Sequence, residues 1–289
     1  MTANVRFGFV VLHYLVDDET AKCIDSIRQL PSNHLIHITV VDNNSDNGSY
    51  ERLLRKYDGV SNIHFIHNSY NLGFAQGNNI GYKYCVETLK CNFVCVINND
   101  ACVKSDNFVD LCVEDAQNPC VGVVGPDIQS GKNDIPQNPV YSIIDTPKAL
   151  QKFHRYLICR SVLSALNLFD LFNKVVVSRK RGSNVSSREP AQAARPYKLH
   201  GACLVFTPSF IGHFNEPFDS RTFLYLEEDI LYIRCKKDGL TMLYDSRIKV
   251  YHREDASTDA QVKHSDYLKE LNTMKYQLQS YNVLKEYIK

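Results

Sequence analysis

Neither sign of charge dominates this 289-residue sequence: 33 Lys and Arg stand against 32 Asp and Glu. So balanced a chain carries no global field toward nucleic acid or a membrane surface, and no nucleic-acid partner is expected. None of its ten cysteines forms a CxxC pair or joins histidines in a compact zinc pattern. Free thiols in a reducing cytosol are therefore expected. Cys85, Cys95, Cys102 and Cys112 sit among apolar neighbours, where a free cysteine behaves as a small hydrophobe. The opening MTANVRFGFVVLHY has no basic segment leading a long apolar run, so no secretory signal is expected. The most apolar longer stretch, 156–177, is broken by Arg160, Asp170 and Lys174, which argues against a spanning helix. Neither GxGxxG nor a Walker lysine is present, which removes the common dinucleotide and ATP signatures. Internal repeats and low-complexity tracts are missing too.

With 44% hydrophobic residues the chain can bury a substantial core, in one large domain or two small ones. Its first hundred residues alternate strand and helix signals. Strands are expected at 6–14, 37–45, 62–68 and 93–100. Between them lie helices at 18–30, with Ala21, Ile24, Ile27 and Leu30 at helical spacing, at 49–57, and in a glycine-punctuated segment over 71–88. Such alternation predicts an α/β fold with a mostly parallel central sheet flanked by helices. Three strands end in polar clusters, VVDNNS, IHNSYN and INND. One such end is a turn signal; three on consecutive parallel strands line one sheet edge, where open α/β sheets bind ligands.

The alternation stops between residues 129 and 196. This stretch is expected to be an insertion, either a helical flap packed on the core or an amphipathic element on a membrane with SRKRG facing anionic headgroups. The flap is the simpler reading. Strand character returns over 197–208 and 241–255, with a helix in the second half of 211–239. The tail carries heptad-like apolar positions at Tyr267, Leu271, Met274, Leu278 and Tyr281, expected as a surface helix or a homo-oligomer contact. The predicted organisation is a domain over 1–260 containing the 129–196 insertion, and a C-terminal helical extension over 261–289.

Four constellations carry chemistry. Asp42 in VVDNNS is an acid at a strand end, although such residues commonly cap the next helix. In NLGFAQGNN, Gly73 and Gly77 flank Phe74 and precede Asn78, and glycines there allow backbone to approach a ligand closely. Asn98, Asn99 and Asp100 offer an amide carbonyl and a carboxylate two residues apart, a donor set for a hard divalent cation. LEED (226–229) places Glu227, Glu228 and Asp229 at a helix start. There they complement the helix dipole or, in a partly desolvated cleft, supply a general base.

The ordered series VVLHY, VVDNNS, NLGFAQGNNIG, INND, HGACLVF, FNEPF, FLYLEED and KVYH resembles the family 2 glycosyltransferases of the GT-A fold. The likeness is to the branch that builds bacterial rhamnose-containing, capsular and O-antigen polysaccharides, and it covers residues 6 to about 255. It implies an inverting, metal-dependent transferase that moves a sugar from a UDP- or dTDP-sugar to a glycan or lipid-linked oligosaccharide acceptor. The enzyme would be cytoplasmic or peripheral on the inner face of the cell membrane. By resemblance Asp42 contacts the nucleobase, and Asn71, Gly73, Gly77, Asn78 and Asn99 lie along the nucleotide-sugar. His200, Gly201, Ala202 and Glu227 lie at the donor sugar and acceptor. INND stands at the DxD position, with Asn98 in place of the first acid and Asp100 as the last, and His252 completes a site for Mg2+ or Mn2+. Counting back from the helix arginine, Arg234, places Glu228 at the catalytic base, with Asp229 next in line. Two other readings stand beside this one. A catalytically weak or inactive glycosyltransferase-like binding subunit is favoured only by Asn98. A sugar nucleotidyltransferase would want a glycine-rich basic loop after the first strand, where the chain has HYLVDD.

Overall fold

The computed structural model describes residues 5–133, 135–165, 195–254 and 266–288. β1 (Arg6–His13), β2 (Leu35–Asp42), β3 (Ile63–His67) and β4 (Phe93–Asn98) are parallel neighbours. In β1 and β4 nearly every residue is buried, as strands covered on both faces require. α1 (Asp17–Arg28), α2 (Ser49–Lys56) and α3 (Gly73–Lys83) return the chain after β1, β2 and β3. α3 runs on into one π-helical turn at Tyr84–Thr88. The expected alternation is therefore present, with the third helix beginning at Gly73.

Beyond β4 the sheet departs from chain order, reading β3-β2-β1-β4-β7-β6-β8-β5. After the short β5 (Ala101–Val103) come α4 (Phe108–Asp115) and β6 (Val121–Ser130). α5 (Pro147–Ala165) precedes β7 (Cys203–Phe206), which is antiparallel to both β4 and β6. α6 (Pro208–His213), α7 (Glu227–Lys237) and β8 (Thr241–His252) complete the sheet region, and α8 (Asp266–Tyr287) ends the chain. Four pairings are parallel and three antiparallel, so the mostly parallel sheet also carries reversed strands. β5 and β6 went unread in the sequence. β5 matters most for the site: its register pairs Ala101 with His252, which brings the end of INND to the end of KVYH.

Apolar side chains cover both faces. Phe7, Phe9, Ile24, Ile27 and Phe108 pack on one, and Tyr82, Phe206, Phe210 and Phe218 on the other. Each such side chain contributes roughly 1.5–3 kcal/mol through burial, so the strand ends rest on a rigid base. All ten cysteines are free thiols and seven are buried, in keeping with a role as small hydrophobes.

A third cluster joins Leu150 of α5, Ile230 and Ile233 of α7, and Val283 and Leu284 of α8. On α8, expected as a surface helix, Leu271 and Leu278 are 37% and 39% exposed. Its buried face runs through Met274, Ser280, Val283 and Leu284. Polar anchors set that rotation, since Ser280 Oγ donates to the Leu224 carbonyl at 3.0 Å and Gln279 Nε2 to that of Arg221 at 3.1 Å. On α5, Leu150 and Leu157 are buried while Tyr156, Ile158 and Val162 are exposed. Among the described residues no helix is long and apolar enough to cross a membrane. The rest of the 156–177 stretch and SRKRG lie outside the described residues.

Candidate active site

The carboxyl ends of β1 and β4, the loop entering α3, the start of α7 and the end of β8 enclose a cleft of about 470 Å3. β4 delivers Asn98, Asn99 and Asp100 to its wall, and the loop before α3 delivers Asn71 and Gly73. His200, Gly201 and Ala202 come from the turn before β7, Glu227, Glu228 and Asp229 from α7, and His252 from β8. The turn before β7 is fixed to β4 by the Asn98 N–H, which donates to the Ala202 carbonyl at 2.9 Å.

Asp100 and His252 form one corner, with His252 Nε2 standing 3.2 Å from Asp100 Oδ1 and both side chains at most 7% exposed. Asn98 presents its amide to the same ring nitrogen at 3.4 Å. Across the ring, His252 Nδ1 is 2.8 Å from Gln137 Oε1. Carboxylate, amide and imidazole thus converge on one point. Asp100 Oδ1 and His252 Nε2 are within hydrogen-bond distance of one another, and an oxygen and a nitrogen donor are the kinds of ligand a divalent cation takes. Two or three protein donors also suit an ion that keeps waters and phosphate oxygens in its remaining positions.

The three consecutive acids occupy three different environments. Glu227 is buried, its Oε1 has no hydrogen-bond partner among the described residues, and burial together with the charge of Glu228 pushes its carboxyl up to about 8. It therefore holds its proton at neutral pH. Asp229, also buried, is ion-paired with Lys198 and accepts from the Ile144 N–H at 2.7 Å. It ties α7 to the segments on either side of the undescribed part of the insertion. Glu228 is only partly buried, and its Oε1 accepts the Gly201 N–H at 3.1 Å. A Cβ on residue 201 would meet that oxygen at 2.7 Å, so glycine is what lets the chain pass so close to Glu228. Arg234 does not reach the cleft; its guanidinium donates to the Pro217 and Glu216 carbonyls at 2.7 and 2.9 Å.

Unusual backbone presents these acids. Tyr225 (φ 75°) and Leu226 (φ 67°) are both left-handed, an arrangement costing non-glycine residues roughly 1–2 kcal/mol each. α8 holds the segment there: Tyr276 stacks on Phe223 with centroids 4.4 Å apart, and the hydroxyls of Tyr225 and Thr273 are 3.2 Å apart.

Three residues expected along the nucleotide-sugar are not among those that line this cleft. Asp42 is fully buried and its carboxylate is consumed locally, accepting the Ser45 N–H and hydroxyl and lying 2.8 Å from His67 Nδ1. Its neighbour Asn43 lines the cleft instead. Gly77 serves packing, since a Cβ there would come within 2.5 Å of Leu12 Cδ1. Asn78 faces its own helix, donating to the Phe74 carbonyl at 2.9 Å. The structure adds Tyr14, Gln137, Lys198 and Gln277 to the wall. Lys198 had a signal, since in YKLHG it alternates with buried Leu199 and shares one side of an extended segment with His200. Gln137 and Gln277 had none.

The chain matches the family described as Glycosyl transferase family 2 over residues 9–195, well over half its length. It is similar to the low-salt glycan biosynthesis hexosyltransferase Agl10 of Haloferax volcanii, 24% identical over 206 residues, covering 70% of this chain and 54% of that protein. Among solved structures it is similar to GalNAc-T7 with UDP, GalNAc and Mn2+, with TM-score 0.59, 13% identity, and coverage of 88% of this chain and 44% of that one. It is also similar to the mannosyltransferase PcManGT of Pyrobaculum calidifontis with GDP-Man and Mn2+, with TM-score 0.55, 11% identity, and coverage of 97% and 70%. The chain spans about half the length of Agl10 and somewhat less of the GalNAc-T7 structure. These likenesses bear out the fold expected from the ordered motifs, and the chain belongs to glycosyl transferase family 2, with a GT-A fold.

Proposed function

We propose that this chain transfers a hexosyl or deoxyhexosyl group from a nucleoside-diphosphate sugar to a hydroxyl of a growing glycan, of the surface-polysaccharide kind its motifs resemble, with inversion at the anomeric carbon. One observation carries the reading: of the three α7 acids, Glu228 alone is neither buried nor, among the described residues, ion-paired, and it faces the cleft that also holds Asp100 and His252. Support for the donor class comes from the similar structures, which hold UDP or GDP-Man with Mn2+. In this reading Asn71, Gly73, Asn43 and Asn99 line the nucleotide-sugar, and His200 to Ala202 lie beneath the donor sugar. A Mg2+ or Mn2+ ion would be held by Asp100 and His252 with Asn98 beside them, and it would supply Lewis-acid stabilisation of the departing diphosphate.

Glu228 takes the proton of the acceptor hydroxyl as that oxygen forms its bond to the anomeric carbon and the bond to the diphosphate breaks. The Gly201 N–H, bonded to Oε1, orients the carboxylate and leaves Oε2 to receive the proton. Glu227, uncharged, adds no second negative charge beside the base. Asp229 cannot be the base while Lys198 and Ile144 occupy its oxygens.

Glu228→Gln preserves size and the Gly201 contact. Single-turnover transfer from a nucleotide-sugar should fall by about 10²- to 10⁴-fold, with nucleotide affinity unchanged by calorimetry. Normal turnover in Glu228→Gln would refute the assignment.

A further inference from the structure

His252 closes the Asp100 corner, and a residue of the loop after β6 fixes its ring from behind. Nδ1 stands 2.8 Å from Gln137 Oε1. A carbonyl oxygen only accepts, so Nδ1 bears the proton, and of the two neutral tautomers the one that fits this contact leaves Nε2 its lone pair. The Asn98 amide Nδ2, 3.4 Å from Nε2, donates toward it in agreement with that tautomer. The opposite tautomer would give Asp100 a hydrogen bond but leave a bare Nδ1 facing the Gln137 oxygen, two acceptors 2.8 Å apart.

Gln137 is itself held in place. Its N–H donates to the Ile128 carbonyl of β6 at 2.8 Å. Its neighbour Asn138 donates to the Pro126 carbonyl at 2.9 Å and accepts the His200 N–H at 2.7 Å. This loop, which the sequence marked only as part of an insertion, is thus tied to β6 on one side and to the cleft wall on the other.

We propose that Gln137 is a positioning residue that locks His252 in the Nδ1–H tautomer, so that Nε2 is offered beside Asp100 as a ligand to a divalent cation. The proposal rests on the metal reading above and extends it to a residue outside the ligand set. Partners of this kind typically govern a 10- to 100-fold range of metal affinity.

The test uses the full chain and Mn2+ as probe. Titration followed by electron paramagnetic resonance, with and without UDP, compares the parent with Gln137→Leu and Gln137→Glu. Leu removes the acceptor and should weaken Mn2+ binding by about 10- to 100-fold; Glu keeps an acceptor oxygen and should restore it to at least the parent value. Independently, long-range 1H–15N spectra of the metal-free parent should show His252 protonated on Nδ1. Equal Mn2+ affinity in parent and Gln137→Leu, or an Nε2-protonated ring in the parent, overturns the role of Gln137 while leaving the metal site standing. Absence of Mn2+ binding in the parent overturns the metal reading and this one with it.

Discussion

At the residue scale, Glu227, Glu228 and Asp229 share one short helix start yet differ in charge, partner and exposure. Glu227 gives the plainest physical consequence. Its carboxyl is pushed from an ordinary 4.5 to about 8 by burial and then by Glu228. Between those values the folded chain holds a proton that the unfolded chain has released, so stability falls as pH rises through that window. The slope reaches at most about 1.4 kcal/mol per pH unit. Below about pH 4.5 this group has no effect on the balance, and above about pH 8 its loss is complete. Glu227→Gln, neutral at every pH, should remove that part of the slope and be the more stable chain at pH 8. Urea midpoints measured from pH 5 to 8 decide it; identical slopes for the two chains would mean that Glu227 is ionised in the fold.

At the element scale, α5 and α8 brace the wall that carries the acids. Arg160 of α5 forms a two-pronged ion pair with Glu270 of α8 and donates to Gln277 Oε1 at 3.2 Å. The pair is sheltered, with side chains 13% and 8% exposed. Removing one partner of a buried pair strands the other charge and costs about 3–5 kcal/mol. Arg160→Leu should therefore destabilise by that amount in denaturant unfolding, and the double variant Arg160→Leu/Glu270→Leu should recover most of it. A single variant costing under about 1 kcal/mol would show that solvent reaches the pair. Because Gln277 also lines the cleft, loosening this brace should weaken the site as well as the fold.

At the scale of the whole molecule, the cleft draws its walls from both ends of the chain, from Leu12 to Gln277, so its occupant stabilises the fold as a unit. A nucleoside diphosphate at a hundredfold excess over its Kd should contribute about 2.7 kcal/mol, read as several degrees in Tm. In a panel of UDP, dTDP and GDP with Mn2+, one nucleotide should stand out, and EDTA should reduce its effect. A shift of the same size with and without EDTA would contradict the proposed cation site.

The α/β alternation, the polar strand ends and the LEED acids were all legible in the sequence. They are written in local patterns: a period of two or 3.6 residues, a strand run that stops in Asn and Asp, three acids at a helix start. Their order along the chain also carried the family resemblance. Other features depend on residues far apart in sequence meeting across packed elements. Ala101 pairs with His252, and no local signal joins INND to KVYH. Gln137 reaches His252 from a loop that read only as an insertion. Asp42 reads locally as a ligand residue, and only the fold shows Ser45 and His67 at its oxygens. Among the three acids, composition is nearly uniform, and the burial of Glu227, the Lys198 ion pair and the close passage of Gly201 separate their roles. The sequence by itself determined which kinds of side chain come to the sheet edge, because backbone periodicity sets that. Tertiary structure alone decided which of them are charged, oriented and open to a substrate, because desolvation and hydrogen-bond partners come from non-local packing.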